Sequence, residues 1–298
     1  MTRVRSTHDQ WRAAQGLLSV VTTMKTLASV RSHRYQHAVR ALEQSNRTME
    51  LALQVALRDH PDLLAGAGLA DRATREEHLM VVVFGPGRGL CGPFAERVVR
   101  HAVGLLDDRG RAAASTRVVA VGARVARRLR AAGWPAEVTL TPPGSLAAVE
   151  DTASDLLTRL DAWLDGSVAP TLMLVYMRPT GSRTSEAYGQ QLLPLDVSWL
   201  RALAHRTWPS RRLPRTVGDD AVVFRGVIRQ YLSLGVVRAF AASQAAENAA
   251  RLVAMRTAER RVEERIEVLG RRARRERQAR VMEEILDVQA GFRVVSEG

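Results

Sequence analysis

The stretch SQAAENAARLVAMRTAERRVEERIEVLGRRARRERQA, residues 243–279, decides the fold of this chain. It lies in a longer segment, residues 221–290, that has no proline and only three glycines. Apolar residues recur there with spacings of three, four and seven, at Leu252, Met255, Val262, Ile266, Leu269 and Ala273. This narrow apolar stripe predicts a helix that packs on another helix. At 1.5 Å per residue the helix would be roughly 100 Å long, so we expect a projecting rod that needs partners.

A second long helix is predicted over residues 7–57, where the chain has one glycine and no proline. Its apolar residues follow a helical period, at Leu17, Val20, Val21, Met24, Leu27 and Ala28. The segment HPDLLAGAG, residues 60–68, supplies the proline and glycines that end it. Since nothing else is long enough to cover the C-terminal stripe, we predict that the two terminal helices form an antiparallel coiled coil.

The middle of the chain has the pattern of an α/β domain. Continuous apolar runs at 79–84, 117–121 and 171–176 are typical of strands buried on both faces. Helical stretches alternate with them, which predicts a mostly parallel sheet. The predicted helices are 95–107, 123–132 and 145–164, with a weaker strand at 137–140, an edge strand at 190–195 and a linker at 210–220. The predicted fold class is therefore α/β: coiled-coil helices at 1–60 and 220–298, with a Rossmann-like domain inserted at 75–215.

Composition narrows the class of protein. The 298 residues, 46% hydrophobic and 25% charged, fit a soluble globular protein. The longest apolar run, residues 168–177, is shorter than the ~20 residues of a membrane span, and the N-terminus leads into no apolar signal core. We therefore expect a cytoplasmic protein. Cys91 is the only cysteine, which excludes an internal disulfide and a multi-cysteine zinc site.

The net charge of +13 predicts an acidic partner: nucleic acid, anionic lipid or the acidic face of a protein. Residues 251–280 hold eleven arginines and five glutamates, a net charge of +6. Arginine supplies 43 of the 44 basic residues, which a codon bias would explain equally well. Interspersed glutamates and the lack of aromatics between Phe240 and Phe292 argue against a nucleic-acid groove. Two interpretations then stay open: a solvated helix face with pairs such as Glu267 with Arg271, and a surface that binds an acidic protein partner, which is favoured.

The segment GRGLCG, residues 87–92, matches the dinucleotide-binding pattern G-x-G-x-x-G between a predicted strand and a predicted helix. No carboxylate follows the next predicted strand, however, and Pro93 comes directly after the third glycine. The segment is not a P-loop either, because no Lys-Ser or Lys-Thr pair follows its glycines. The favoured interpretation is a tight turn that lets a helix approach the sheet. A dinucleotide-dependent oxidoreductase stays open as a third function.

Other reactive side chains point to no site. Cys91 is expected to be a small buried apolar residue. His33 and His37 lie four apart on a helix, but Arg34 stands where a metalloprotease has glutamate, so we expect a solvated pair. No nucleophile and base are paired by spacing. We therefore predict no catalytic residue, no cofactor and no metal site.

Four local motifs follow one another along the chain. They are Met24-Lys25 followed by Ala28, Arg31 and Arg34, the turn Arg88-Gly89-Leu90-Cys91-Gly92 followed by Phe94, the string SQAAENAARLVAM at 243–255, and Arg275-Glu276-Arg277-Gln278-Ala279 with Glu284-Ile285. Together they resemble the gamma subunit of F-type rotary ATP synthases. The third motif is similar to the family string SQASEHAARMVAM and differs at Ala246, Asn248 and Leu252.

The chain also departs from the family pattern. Pro86-Gly87 replaces a Ser-Asp pair before the turn, Arg274 replaces an asparagine, and Met282 replaces a threonine. The opening helix lacks an Ile-Arg-Arg-Arg-Ile pattern. These departures resemble the divergent N-type branch of bacterial ATPases.

The resemblance implies a function. In this family the paired helices form a shaft inside a ring of alpha and beta subunits, and the α/β domain joins the rotor to the membrane c-ring, beside the epsilon subunit. It implies a peripheral protein on the cytoplasmic face of the bacterial inner membrane, with no small-molecule substrate and no nucleic acid. By position, Lys25, Arg251, Arg275 and Gln278 contact beta subunits, and the turn from Arg88 through Gly89, Leu90 and Cys91 to Gly92 shapes the lower domain. The alternative function is a nucleic-acid-binding coiled coil that uses the basic helix.

Overall fold

A computed structural model describes residues 6–59, 78–110, 115–164, 171–180, 184–212, 214 and 217–296. The chain forms two compact units. The first consists of Met1–Ala28 and Leu252–Gly298, and the second of Ser29–Arg251. The helices are α1 (Thr7–Asp59), α2 (Phe94–Leu105, followed by a π-helical turn, Leu106–Gly110), α3 (Ala123–Ala131), α4 (Ala148–Leu164), α5 (Val197–Ala204) and α6 (Asp220–Ser296). The strands are β1 (His78–Phe84), β2 (Ser115–Val121), β3 (Val138–Leu140), β4 (Thr171–Pro179) and β5 (Ser185–Leu193).

The first unit is an antiparallel pair of helices, made by the start of α1 and the end of α6. Thr7 donates a hydrogen bond to Glu276, and Lys25 contacts Glu259, so partners run in opposite directions along the two helices. Between these contacts Trp11 lies against Gly270, where an added Cβ would be 3.3 Å from its Nε1. The antiparallel pairing predicted from the sequence is therefore confirmed in this unit.

The apolar stripe of α6 forms the seam of this pair. Met255 and Leu269 are buried. The other predicted seam residues of the unit are partly buried, at Leu252, Val262, Ile266 and Ala273. On α1, Val21 and Ala28 are buried one heptad apart. Burial of apolar surface along this seam stabilises the pair.

The second unit is built on a five-stranded sheet of order β3-β2-β1-β4-β5. Strands β1 to β4 are parallel, and β5 pairs antiparallel with β4 at the edge. In the centre, Val82 of β1 pairs with Val119 of β2 and with Leu174 of β4. The central strands are buried on both faces, as their continuous apolar runs predict.

Helices cover both faces of this sheet. On one face, Val98 and Ala102 of α2 and Val125 and Leu129 of α3 pack against alternate residues of β1 and β2. On the other face lie α4 and part of α6, through Val149, Ala153, Leu156, Leu160, Val236 and Phe240. Phe240 meets Phe84 of β1 edge to face, with ring centroids 4.8 Å apart, a favourable geometry for aromatic rings.

Helix α6 is buried on every side over residues 239–249. A surface helix buries only one stripe, so a helix segment that is buried on every side must be surrounded by other parts of the chain. The second half of α1 is part of that packing, because Tyr35 belongs to the same core cluster as Phe240. A third cluster joins Leu53 and Leu57 of α1 to α5 and to Phe224.

Three predicted boundaries were wrong. Helix α2 ends at Leu105 and continues as a π-helical turn, so residues 106 and 107 are not α-helical. Helix α4 begins at Ala148, because the Ser145 hydroxyl accepts a hydrogen bond from the Ala148 N–H before the helix starts. The edge strand spans Ser185–Leu193 and ends before Pro194, which has no N–H for the sheet. The helix end predicted at residues 60–68 lies outside the described residues.

Candidate functional site

The glycine turn, residues 87–92, is held by a carboxylate from α6. Glu247 accepts a hydrogen bond from the Gly87 N–H at 2.9 Å and another from the Arg88 N–H at 3.3 Å. Its side chain is only 3% exposed. A buried carboxylate needs such donors, because an unpaired charge in the interior costs several kcal/mol.

Arg251, one helical turn further along α6, completes the arrangement. Its guanidinium is paired with Glu247, and its Nη1 donates to the Asn248 side chain at 3.1 Å. It also donates to the carbonyls of Gly89 and Arg88, each at 3.3 Å. Glu247 therefore binds the turn's N–H groups while Arg251 binds its carbonyls. We name these two side chains and their contacts with the turn the Glu247–Arg251 clamp.

Small residues allow the clamp to form. Ala245, Ala246 and Ala249 around Glu247 are all buried, so α6 approaches the turn closely. The turn itself uses left-handed backbone, at Gly92 with φ of 60° and at Leu90 with φ of 64°. This conformation is sterically strained for Leu90, because leucine has a Cβ that glycine lacks. The contacts of the turn offset that strain.

The clamp occupies the backbone N–H groups that a G-x-G-x-x-G loop would offer to a nucleotide. In dinucleotide-binding proteins, the backbone N–H groups of such a loop face a phosphate. Here the N–H groups of Gly87 and Arg88 face the chain's own Glu247 carboxylate. The interpretation of the motif as a tight turn is confirmed.

The structure also places the remaining reactive side chains. Cys91 is buried, and its thiol donates to the Arg88 carbonyl. Burial raises the pKa of that thiol, and the nearby Glu247 charge adds to the effect, so the thiol stays protonated. His33 and His37 are exposed. Within the described ranges, no three metal-ligating side chains form a cluster.

The residues predicted to contact beta subunits fall in both units. Lys25, Arg275 and Gln278 belong to the first unit and Arg251 to the second. Arg275 and Gln278 are exposed on α6. Arg251 is buried in the clamp, 7% exposed, so its guanidinium is occupied within the chain. The beta contacts of all four residues stay predictions.

Lys25 forms an ion pair across the antiparallel helices. Its Nζ lies 2.6 Å from one Glu259 oxygen and 2.7 Å from the other. The Thr22 hydroxyl donates to the same carboxylate at 3.1 Å. The hydrogen bond from Lys25 holds the pKa of Glu259 below its usual range, and that from Thr22 lowers it further.

The basic segment of α6 carries ion pairs along its exposed face. Arg271 pairs with Glu267 at 3.0 Å, and Arg272 pairs with Glu276 at 2.9 Å. Both pairs have the i,i+4 spacing that favours such contacts on a helix. The predicted pairing of Glu267 with Arg271 is confirmed.

Sequence reasoning missed Glu247 and Asn248 as site residues. The usable signal was a charged pair with i,i+4 spacing, Glu247 and Arg251, set among alanines instead of other charged residues. Alanines on all sides of a charge indicate a crowded interior position, where the charge must be paired.

Comparison with solved structures shows which proteins share this fold. The fold is that of ATP synthase central stalks. A chain from the central stalk and c-ring of the Tetrahymena thermophila mitochondrial ATP synthase aligns with a TM-score of 0.54 and 17% identity, over 80% of this chain and 99% of that one. A chain of the Euglena gracilis mitochondrial ATP synthase aligns with a TM-score of 0.51 and 13% identity, over 90% and 95%.

Sequence comparison shows the family. The sequence model of the family described as ATP synthase matches residues 4–295 of this chain. The ATP synthase gamma chain of Gluconobacter oxydans is 27% identical over 93% of this chain and 94% of its own length, and that of Trichormus variabilis is 27% identical over 98% of both. The chain belongs to the ATP synthase gamma chain family, as its motifs predict.

Proposed function

We propose that this chain is the central shaft of a rotary ATP synthase, a subunit that does no bond chemistry and couples c-ring rotation to conformational change in catalytic beta subunits. The observation that supports this most directly is that α6 belongs to both units. In the first unit it is half of an antiparallel helix pair, and in the second it is buried among the helices of the α/β sheet. We propose that this shared helix transmits rotation.

The Glu247–Arg251 clamp gives that coupling a physical basis. Apolar packing around a helix resists separation but has little directional preference. Hydrogen bonds from a buried charged pair fix orientation, since they weaken steeply when distance or angle changes. We propose that the clamp holds α6 against slipping relative to the glycine turn when torque is applied.

The proposed partners are the alpha and beta subunits around the helix pair, and the epsilon subunit and c-ring at the α/β unit. The central-stalk and c-ring assemblies of the structural relatives support these partners. The proposed location is the cytoplasmic face of a bacterial inner membrane, reached through the c-ring. None of the described helices is long and apolar enough to cross a bilayer. Membership of the N-type branch is part of the same proposal and rests on departures such as Pro86-Gly87.

Affinity purification of the tagged chain from its native host, in mild detergent, tests the proposal. We expect alpha, beta and c subunits to co-elute with it, with nuclease treatment leaving the complex intact. A chain that elutes alone in every detergent and salt condition would overturn the assignment. Elution with nucleic acid that nuclease removes would instead support the DNA-binding alternative.

A further inference from the structure

A cavity of about 290 Å³ lies beside the clamp, within the second unit. Four parts of the chain line it: α1, the glycine turn, the loop after β3 and α6. Its polar lining includes Arg31, Tyr35, Arg88, Thr141, Gln244 and Asn248. A site between several elements with converging polar groups has the general form of a small-ligand pocket.

The charges around this cavity do not balance. Glu247 is its carboxylate, and Arg251 together with two backbone N–H groups already neutralises it. Arg31 and Arg88 also line the cavity, and within the described ranges neither forms an ion pair. Arg31 is half-buried and Arg88 is exposed, and both border a partly enclosed space, where an anion is attracted more strongly than at an open surface.

Tyr35 adds a hydrogen-bond donor to the same space. It is only 4% exposed, yet among described residues its hydroxyl has no hydrogen-bond partner. Among the described residues the buried side-chain atom without a partner is Gln54 Oε1, so the Tyr35 hydroxyl is not sealed in the interior and can donate into the cavity that it lines. Burial raises the pKa of Tyr35, with the Glu247 charge acting in the same direction against Arg31, which keeps the hydroxyl protonated as a donor.

We propose that this cavity binds a phosphate group, held by the guanidinium groups of Arg31 and Arg88 and by the Tyr35 hydroxyl. Guanidinium groups suit a phosphate because their N–H donors match its oxygens in pairs. The volume exceeds that of phosphate alone, so both inorganic phosphate and the terminal phosphate of a nucleotide fit the chemistry. The bound group would bridge α1 and the glycine turn next to the clamp and so stiffen the second unit.

Isothermal titration of the full-length chain with inorganic phosphate, at neutral pH and physiological salt, tests this proposal. We expect one saturable site per chain. R88Q and R31Q each remove one charged donor, so each is expected to weaken binding about tenfold or more. Y35F removes a neutral donor and is expected to weaken it several-fold. Parallel titrations with ADP and with sulfate show whether a nucleotide or a simple oxyanion is preferred.

R127Q is the matched control, because Arg127 is an exposed arginine of the same unit, on α3, and does not line the cavity. Its affinity is expected to equal that of the parent chain, and circular dichroism establishes that each variant is folded. Equal affinities for R88Q, R31Q and R127Q would overturn the proposal, because binding would then be spread over the many arginines. The absence of saturable binding of phosphate, ADP and sulfate alike would overturn it as well.

Discussion

At the residue scale, the clamp depends on two charges that cannot stand alone. Removing one partner of a buried ion pair leaves the other charge unpaired, which costs about 3–5 kcal/mol. We therefore expect R251Q to lower the free energy of unfolding by about that amount, measured by urea denaturation of the full chain.

The chain supplies a control with the same spacing and different burial. Arg271 pairs with Glu267 at i,i+4, as Arg251 does with Glu247. The side chains of Arg271 and Glu267, however, are both more than half exposed. R271Q should change the free energy of unfolding by less than about 0.5 kcal/mol. Equal effects of R251Q and R271Q would show that the clamp contributes no more than a surface pair.

Gly85, just before the turn, and Gly104 differ in whether they tolerate a side chain. A Cβ on Gly85 would lie 2.2 Å from the Val125 side chain and 2.8 Å from the Val121 carbonyl oxygen. We expect G85A to destabilise the protein by about 1–3 kcal/mol through overpacking. Gly104, in α2, has open space where a Cβ would stand, so G104A should stabilise by about 0.5–1 kcal/mol. Thermal unfolding of both variants checks the opposite signs.

Local sequence pattern could predict this turn but not what fills it. The glycines of residues 87–92 predict a tight turn between a strand and a helix. The carboxylate that binds the N–H groups of the turn comes from Glu247, about 160 residues away. Local sequence pattern carries no information about that contact. The positive φ of Leu90 was equally hidden, since leucine rarely adopts it.

At the element scale, the Lys25–Glu259 pair links α1 to α6 in a pH-dependent way. The pKa of Glu259 is lowered in the folded chain, so the pair stabilises the fold above the unfolded glutamate pKa of about 4.3. That stabilisation is lost as the pH falls through the lower folded pKa. E259Q should therefore be less stable than the parent chain at neutral pH.

Urea unfolding of both proteins, from neutral pH downward, measures this prediction. The stability difference should be constant near pH 7 and shrink as the pH drops below about 4.3. A difference that does not change with pH would show that ionisation of Glu259 has no part in joining the helices.

Elements with strong periodicity were predictable, and those fixed by tertiary contacts were not. The seam from Leu252 to Ala273 and the runs of β1, β2 and β4 carry their burial in their own sequence. β5 does not: SEAYGQQLL is polar, and its strand conformation comes from pairing with β4. The burial of α6 within two core clusters could not be predicted from the sequence either, because alanine is common in both buried and exposed helices.

At the scale of the whole molecule, the proposed contacts with beta subunits are testable through coupling. Arg275 and Gln278 are exposed on α6, so their substitution should not unfold the chain. We expect R275A and Q278A to weaken coupling between ATP hydrolysis and rotation, most strongly in the double variant. The measurement is ATP-driven ion pumping relative to ATPase activity in the reassembled complex.

Gly104 supplies the control for this pair as well, since G104A changes an exposed position of the second unit and is expected to leave coupling intact. If pumping and hydrolysis were unchanged in both single variants and in the double variant, the assigned contacts would be wrong.

The central claim is that the chain itself rotates within a ring of alpha and beta subunits. Cys91 is buried and is the only cysteine, so the exposed position Arg130 on α3 can be converted by R130C into a single accessible attachment point. A bead fixed there, on a complex immobilised through its beta subunits, reports the motion of the chain directly. We predict stepwise rotation in one direction that requires ATP and stops when ATP is removed. A folded chain that assembles with the ring while its bead shows no ATP-dependent rotation would contradict the account.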